Sequence, residues 1–112
     1  MPYLTLTSNL HLDTDSGQLQ LLSQAVAEDL GKPESFVMVA IRHNPDMLFA
    51  GNNEPLAYCE LKSLGLEESQ TRALSQHLCD LIQQLYTIDP ARIYIEFSAP
   101  ARAMWGWNGK TF

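Results

Sequence analysis

The sequence has little positive charge. It contains seven Lys and Arg against 13 Asp and Glu, which gives a formal net charge of −6 at pH 7. A nucleic-acid binder needs a basic stripe to meet the phosphates, and an anionic membrane surface repels an acidic protein. We therefore expect neither a nucleic-acid partner nor a membrane partner.

Long apolar runs and several enzyme motifs are missing as well. No stretch approaches the roughly 20 apolar residues that cross a bilayer, and the first residues lack the pattern of a signal peptide. The expected location is therefore the cytoplasm, which leaves open secretion by a route without a signal peptide. There is no glycine-rich phosphate loop, no HExxH motif and no Ser-His-Asp order typical of a triad.

Cysteine is scarce. The two cysteines, Cys59 and Cys79, form no CxxC pair and do not have metal-ligand spacing. The sequence therefore predicts no metal site and no cofactor, and we expect both thiols to be small buried groups.

The composition that remains is that of one globular domain over residues 1–112. Hydrophobic residues make up 46% of the chain and charged residues 18%, which suits a modest core. Leucines at helical spacing predict a helix from Gln18 to Leu30, capped by Asp15 or Ser16 and ended by Gly31. A second helical pattern runs from about Glu67 to Leu85.

Four strand-like runs surround these helices. They are Tyr3 to Thr7, Phe36 to Arg42, Leu56 to Leu64 and Arg92 to Ser98, followed by a short apolar tail segment near Met104 to Trp107. The order strand, helix, strand occurs twice, so the chain resembles two β-α-β pseudo-repeats, about residues 1–54 and 55–112. Side by side they predict an α/β (α+β) fold, a four-stranded mixed sheet with both helices on one face.

The second face of this sheet raises the question of an oligomer. The run from Phe36 to Ile41 is apolar without alternation, so burial of both faces of that strand is expected. Two helices cover only one face, and a large exposed apolar sheet promotes aggregation. We therefore expect a homo-oligomer whose sheets bury one another; the tail segment folding back as a lid is the alternative, but it is short.

Pro2 is the first residue with a chemical interpretation. A strand tolerates proline at its first position, so Pro2 can simply precede a strand. If Met1 is removed, however, the nitrogen of Pro2 becomes a secondary amine that can act as a base. An α-amine titrates at about 7.7 to 8.0, and burial or a nearby cation lowers that pKa. The residues alone leave both interpretations open.

Several motifs together resemble the macrophage migration inhibitory factor family of the tautomerase superfamily. They are MP before a strand, GKPESFV, FAGNNEPLAYCELKSLGL, DPARIYIEF and WGWNGKTF, which span essentially the whole chain. The resemblance implies a homotrimer around a central channel, with active sites at subunit interfaces. It also implies keto-enol tautomerisation of phenylpyruvate-like or dopachrome-like substrates. A cytokine-like signalling or binding role, with an unidentified receptor, is the alternative that it implies.

The resemblance also implies roles for individual residues. Pro2 is the catalytic base, and Lys32 binds the substrate carboxylate and lowers the pKa of Pro2. Ser63 and Leu64 lie where a main-chain group meets the substrate, and Tyr94 and Glu96 come from the neighbouring subunit. An aromatic wall is formed by Phe36, Trp105, Trp107 and Phe112. Without the resemblance, Lys32 is more simply a cation at a helix end and the aromatic residues are ordinary packing.

Three positions depart from the family pattern. The segment Leu56-Ala57-Tyr58-Cys59 lacks the first cysteine of a CxxC motif, so we expect no thiol oxidoreductase activity. Phe36 replaces a common tyrosine and removes a hydroxyl donor. Glu96 stands where asparagine is usual, and its negative charge would repel a substrate carboxylate and favour a protonated amine. We therefore expect weaker turnover of phenylpyruvate than in a family member with asparagine, or a preference for a substrate that offers a donor to Glu96.

Overall fold

Two β-α-β units form one sheet in the computed structural model, which describes residues 1–15 and 17–112. The first unit comprises β1 (Tyr3–Ser8), α1 (Gln18–Leu30) and β2 (Met38–His43), and the second comprises β3 (Ala57–Lys62), α2 (Glu68–Tyr86) and β4 (Ile93–Ser98). The tail forms a hairpin of β5 (Gly106–Trp107) and β6 (Lys110–Thr111). Short 3-10 helices span Glu34–Phe36, Pro90–Arg92 and Arg102–Met104.

The sheet has the strand order β2-β1-β3-β4. The strands of each unit are parallel, and the two units join through the antiparallel pair β1 and β3. The prediction of a four-stranded mixed sheet with two helices is thereby confirmed. No helix in the described parts of the chain has the length and apolar character needed to cross a membrane.

Of the predictions for the ends of α1, the cap at Asp15 is wrong and the end at Gly31 is confirmed. Gly17, with φ of 86°, precedes the helix without a side-chain cap, so the prediction that Asp15 caps it is wrong. The amide of Asp15 instead donates to the Asp13 carboxylate at 2.8 Å, in a turn before the helix. Ser16, the other predicted cap, lies outside the described residues. Gly31 ends α1 as predicted, with φ of 62°.

Three strands begin later than predicted: β3 by one residue, at Ala57 rather than Leu56, and β2 and β4 because a turn precedes each of them. The 3-10 turns at Glu34–Phe36 and Pro90–Arg92 occupy positions assigned to β2 and β4, so the predictions that Phe36 and Arg92 begin strands are wrong. In the first turn the amide of Phe36 donates to the carbonyl of Pro33 at 3.1 Å. Proline fixes φ near the turn region and has no N–H to donate, so each Pro segment forms a turn before its strand.

The core lies between the helices and one face of the sheet. It contains alternate residues of the strands together with the inward stripes of the helices, including Leu4, Leu6, Cys59, Leu61, Leu22, Val26, Leu74, Leu78 and Ile82. Cys59 is fully buried but Cys79 is only half-buried. The expectation of two buried thiols is therefore wrong for Cys79, because its position on α2 lies at the margin of the apolar stripe.

The face of the sheet turned away from the helices is mostly polar. Strand β3 alternates, so that Tyr58, Glu60 and Lys62 point away from the buried Cys59 and Leu61. The neighbouring positions on β1 and β4 are also mostly polar, namely Thr5, Thr7, Tyr94, Glu96 and Ser98. The expected apolar open face is wrong, because it was inferred from β2 alone. The face therefore does not by itself require a homo-oligomer.

Candidate active site

Pro2 lies at one end of the central strand pair. Its carbonyl accepts the amide of Met38 at 3.0 Å, which continues the parallel register in which Tyr3 faces Met38. The side chain of Pro2 is fully buried. Met1 is present in this structure, so the α-amine belongs to Met1 and the nitrogen of Pro2 is part of a peptide bond.

Two cavities meet at this end of the chain. The first, here called the aromatic cavity, measures about 400 Å³ and is lined by Pro2, Tyr3, Ser35, Phe36, Val37, Met38, Trp105, Gly106 and Trp107. The second, here called the cationic cavity, measures about 370 Å³ and is lined by Lys32, Leu64, Gly65, Arg102 and Phe112. Met1 and Phe36 line both cavities, so these two side chains separate them.

The tail hairpin brings the aromatic residues together. Trp107 lies edge-on to Phe36, with ring centroids 5.7 Å apart, and stacks on Phe112 at 5.6 Å. The turn between β5 and β6 has Asn108 and Gly109 at positive φ, 51° and 75°, as a two-residue hairpin turn of the primed type requires. An Asn-Gly pair is a strong hairpin signal in a sequence, and here it forms the turn of the tail hairpin.

Lys32 is held at the mouth of the cationic cavity. Its amide donates to the carbonyl of Ala27 at 2.9 Å and so completes the end of α1. Its ammonium group donates to the carbonyl of Leu64, also at 2.9 Å. The contact predicted for the main chain of Leu64 is therefore made here with Lys32, and that carbonyl orients the cation towards the cavity.

Arg102 is a second cation at this site, and the sequence analysis missed it. It lies on the 3-10 helix Arg102–Met104, and its Nε donates to the main-chain oxygen of Phe112 at 3.2 Å. The pKa of the Met1 amine is lowered by burial and then by the positive charges of Lys32 and Arg102. An amine at this position therefore gives up its proton more readily than an ordinary α-amine.

Three predicted site residues line neither cavity of their own chain, namely Ser63, Tyr94 and Glu96. Ser63 is fully buried, with its amide donating to the carbonyl of Ser98 at 3.0 Å, and it lines neither cavity. Tyr94 and Glu96 lie on the open face of β4, where the Tyr94 ring is 4.9 Å from Phe49 and Glu96 accepts the Tyr58 hydroxyl at 2.5 Å. Neither lines a cavity with Pro2.

The sheet register shows how far Tyr94 is from Pro2. Tyr94 faces Tyr58, which faces Thr7 of β1, four residues beyond Tyr3. Pro2 lies one residue further along, so at strand spacings of roughly 4.8 Å and a rise of roughly 3.3 Å per residue, the separation of Tyr94 from Pro2 is on the order of 19 Å. Glu96 faces Glu60, which faces Thr5, and this places Glu96 on the order of 14 Å from Pro2. Tyr94 and Glu96 therefore cannot complete the site around Pro2 of their own chain.

Metal and thiol chemistry have little support in the described residues. No three His, Cys, Asp or Glu side chains among them lie together as a metal site would need. Burial raises the pKa of Cys59 to about 12, and the thiolate is the reactive form of cysteine. The groups that the two cavities present are an amine, two cations and aromatic rings.

Comparison with known proteins places this arrangement in a family. The family model described as macrophage migration inhibitory factor matches residues 1–112. The mouse (Mus musculus) macrophage migration inhibitory factor is 35% identical over 100% of this chain and 99% of its own. The solved Prochlorococcus marinus homologue is 40% identical with a TM-score of 0.92 over 98% of both chains. The Trichinella spiralis structure is 35% identical with a TM-score of 0.93, over 98% of this chain and 99% of its own. This chain belongs to the macrophage migration inhibitory factor family.

Proposed function

We propose that the protein is a keto-enol tautomerase for phenylpyruvate-like 2-oxo acids, with dopachrome-like compounds as further substrates. In this proposal Pro2 is the catalytic base after removal of Met1, and no cofactor takes part. The observation that carries the proposal is the position of Pro2 beside an aromatic cavity that adjoins a cationic one. A ring and a carboxylate on one small molecule need these two environments side by side.

Removal of Met1 changes the site in two ways. It takes away one of the two side chains that line both cavities, and it frees the nitrogen of Pro2 as an amine. The burial and the cations that lower the pKa of the Met1 amine would act on the Pro2 amine in the same direction, because both disfavour an ammonium ion. A larger fraction of the amine is then neutral near pH 7, as a general base must be.

The reaction is a proton transfer between carbon and oxygen. Lys32 binds the carboxylate, and the ring lies among Phe36, Trp105 and Trp107. The neutral Pro2 nitrogen takes a proton from C3, and the C3–H electron pair forms the C2–C3 double bond. The π pair of the C2 carbonyl moves onto its oxygen, which then takes a proton from the protonated Pro2 amine or from water. The cations stabilise the negative charge that develops on that oxygen.

A homotrimer completes this site in the proposal. By strand geometry, Tyr94 lies on the order of 19 Å and Glu96 on the order of 14 Å from Pro2 of their own chain, so only a neighbouring copy can bring them to it. Each site would then contain Pro2 and Lys32 of one chain and Tyr94 and Glu96 of the next. The family resemblance implies this sharing between chains.

The decisive experiment follows phenylpyruvate enol formation by ultraviolet absorbance. The native protein, with loss of Met1 checked by intact mass, is compared with Pro2→Gly and with a form that keeps Met1. General-base catalysis contributes about 100-fold or more, so both changes should lower kcat/KM by at least that factor. Pro45→Gly, in an exposed loop, is the matched control and should keep native activity. An inactive native protein, or a Pro2→Gly form with native activity, would show the proposal to be wrong.

A cytokine-like signalling or binding role is the second candidate function. It is favoured by Glu96, whose charge is expected to slow turnover, and by the relatives' name, macrophage migration inhibitory factor. In that case the outer surface of the protein, rather than the cavity, carries the biological function. A native protein that lacks Met1 and still fails to turn over phenylpyruvate would support this candidate.

A further inference from the structure

We infer that Arg92 is a positioning residue for the site shared between chains, because its guanidinium fixes the loop against which the ring of Tyr94 packs. The inference rests on the proposed function, since only in an oligomer does Tyr94 come near Pro2 of another chain. Its basis is a guanidinium whose four hydrogen bonds all end on residues 49–55. In this role Arg92 acts through Tyr94 and does not touch the substrate.

The Arg92 guanidinium binds four main-chain carbonyls of one loop. Its Nε donates to the carbonyl of Pro55 at 2.9 Å, and Nη1 donates to that of Phe49 at 3.1 Å. Its Nη2 donates to the carbonyls of Asn52 and Glu54, at 3.3 and 3.1 Å. Because a guanidinium presents its N–H donors in fixed directions within one plane, these four bonds together determine where the loop lies.

Arg92 is itself held at the start of β4. Its amide donates to the carbonyl of Asp89 at 2.8 Å, and the Asp89 carboxylate accepts the amide of Ala91 at 2.9 Å. The side chain of Arg92 is half-buried, and no salt bridge between described residues involves it. The guanidinium therefore joins the loop to the start of the strand that carries Tyr94.

The loop contains a tight turn that needs contacts outside itself. Phe49 and Asn52 pair through both their amides, at 3.0 and 3.1 Å, around Ala50 and Gly51 at positive φ of 52° and 77°. A non-glycine residue such as Ala50 is strained in this region, and an isolated hairpin is marginally stable in water. The bonds from Arg92 therefore hold a turn that would otherwise be free to move.

The position of this turn determines how the Tyr94 ring is held. The Arg92 guanidinium lies 5.1 Å from the centroid of the Phe49 ring, and the Phe49 and Tyr94 ring centroids are 4.9 Å apart. Tyr94 is 65% exposed, so the packing of Phe49 limits the directions in which its ring can point. A group that completes a site must have its rotamer locked by such packing. Arg92 therefore acts on Tyr94 through Phe49.

The test is a double-mutant cycle between Arg92 and Tyr94. The quantity measured is kcat/KM for phenylpyruvate in the native protein, in Arg92→Lys, in Tyr94→Ala and in the double variant, each with its mass from light scattering. Arg92→Lys keeps the charge, but one ammonium group cannot reach carbonyls spread over seven residues of loop. Because misplacing a site group by roughly 1 Å can cost about 100-fold, we expect Arg92→Lys to lower kcat/KM by about tenfold at native mass.

Coupling to Tyr94 is the result that a merely structural Arg92 would not give. Tyr94→Ala should lower kcat/KM at least as much as Arg92→Lys does. In the Tyr94→Ala background, Arg92→Lys should change kcat/KM by no more than about twofold, the scatter expected for independent sites, because no ring is left to position. The contact between the rings of Phe49 and Tyr94 is followed separately by nuclear Overhauser effects, which should weaken in Arg92→Lys.

Asn9→Ala is the matched control, because Asn9 holds the same loop from its other end. The Asn9 side chain donates to the carbonyls of Asn53 and Glu54 at 2.9 and 3.2 Å, and it accepts the amide of Leu56 at 3.0 Å. None of these bonds reaches Phe49. The Asn9→Ala protein should therefore be less stable but should keep the ring contact and nearly native kcat/KM.

Failure of the inference differs from failure of the proposed function. An equal loss of kcat/KM from Arg92→Lys in both backgrounds would overturn the inference, and so would native kcat/KM or an unchanged ring contact in Arg92→Lys. A fall of Arg92→Lys to the mass of one chain would also overturn it, since Arg92 would then support the contact between chains. In each case phenylpyruvate turnover by the native protein would leave the proposed function standing. An inactive native protein whose ring contact still depends on Arg92 would support the positioning of Tyr94 and contradict the tautomerase.

Discussion

At the residue scale, Tyr58 and Glu96 are electrostatically coupled on the open face of the sheet. The Tyr58 hydroxyl donates to Oε2 of Glu96 at 2.5 Å across neighbouring strands. This hydrogen bond, followed by burial and the negative charges of Glu96 and Glu60, raises the pKa of Tyr58 to about 12. The Tyr58 hydroxyl of the same chain therefore holds the Glu96 carboxylate in place. The replacement of the family's usual asparagine by Glu96 does not by itself indicate this contact.

This coupling predicts a late step in the alkaline titration of tyrosinate absorbance. A raised pKa means that the bond stabilises the fold below the ordinary tyrosine pKa of 10.0, and that this contribution is lost as the pH rises through about 12. Tyr58→Phe should remove the late step, and Glu96→Gln should move it towards pH 10. Tyr94→Phe removes another tyrosine from the same face and is the control, which should leave the step in place. A late step that persists in Tyr58→Phe would show that another tyrosine causes it.

At the scale of elements, the two helices end in the same way with different residues. α1 ends at Gly31 with φ of 62°, and α2 ends at Thr87 with φ of 58°. Glycine adopts this left-handed conformation without steric cost, whereas a β-branched residue is strained in it. The end of α2 is therefore a local weak point of the fold.

Replacement of this threonine should stabilise the protein. Thr87→Gly relieves the strain but adds freedom to the unfolded chain, so we expect a net gain of about 0.5 to 1 kcal/mol in the free energy of unfolding. The reverse change at the equivalent position, Gly31→Thr, should lower it. Urea denaturation at constant slope measures both changes. A Thr87→Gly protein less stable than the native one would show that the Thr87 side chain makes contacts that outweigh the strain.

The elements show which parts of the fold can be predicted from sequence. The periodic leucines placed both helices correctly, because a buried stripe repeats over many residues. The ends were harder, since the start of α1 depends on the backbone conformation of Gly17 rather than on a capping side chain. β2 and β4 begin late for a local reason, namely the turns that follow Pro33 and Pro90.

The candidate site could likewise be predicted where it depends on sequence motifs, but not where it depends on tertiary contacts. The motifs pointed to Pro2, Lys32 and the aromatic residues, which the structure brings to two adjoining cavities. Arg102 was missed because its place depends on the tail folding back through the Asn-Gly turn, a tertiary effect that local patterns do not show. Ser63 was expected at the site from its position in a motif, but its amide and side chain are buried beside β4.

At the scale of the whole molecule, one exposed apolar patch lies far from Pro2 of its own chain. It consists of Leu48, Phe49 and Tyr94; Leu48 is 69% exposed and Tyr94 65%. Phe49 packs against Tyr94 and lies under the guanidinium of Arg92, 5.1 Å from the ring centroid. If Tyr94 completes a neighbour's site, this patch must lie at the contact between chains.

The proposed homotrimer therefore predicts a position-specific effect of a charge on this patch. Light scattering in solution should give the native protein three times the mass of one chain. Leu48→Asp places an uncompensated carboxylate in the contact, where desolvation is costly, and should shift the mass towards one chain and reduce phenylpyruvate turnover together. Leu21→Asp is the control, because Leu21 is also exposed but lies on α1; it should keep the native mass and activity. A native protein with the mass of one chain and full tautomerase activity would exclude a site shared between chains. A Leu48→Asp protein that stays trimeric would show that this patch does not lie at the contact between chains.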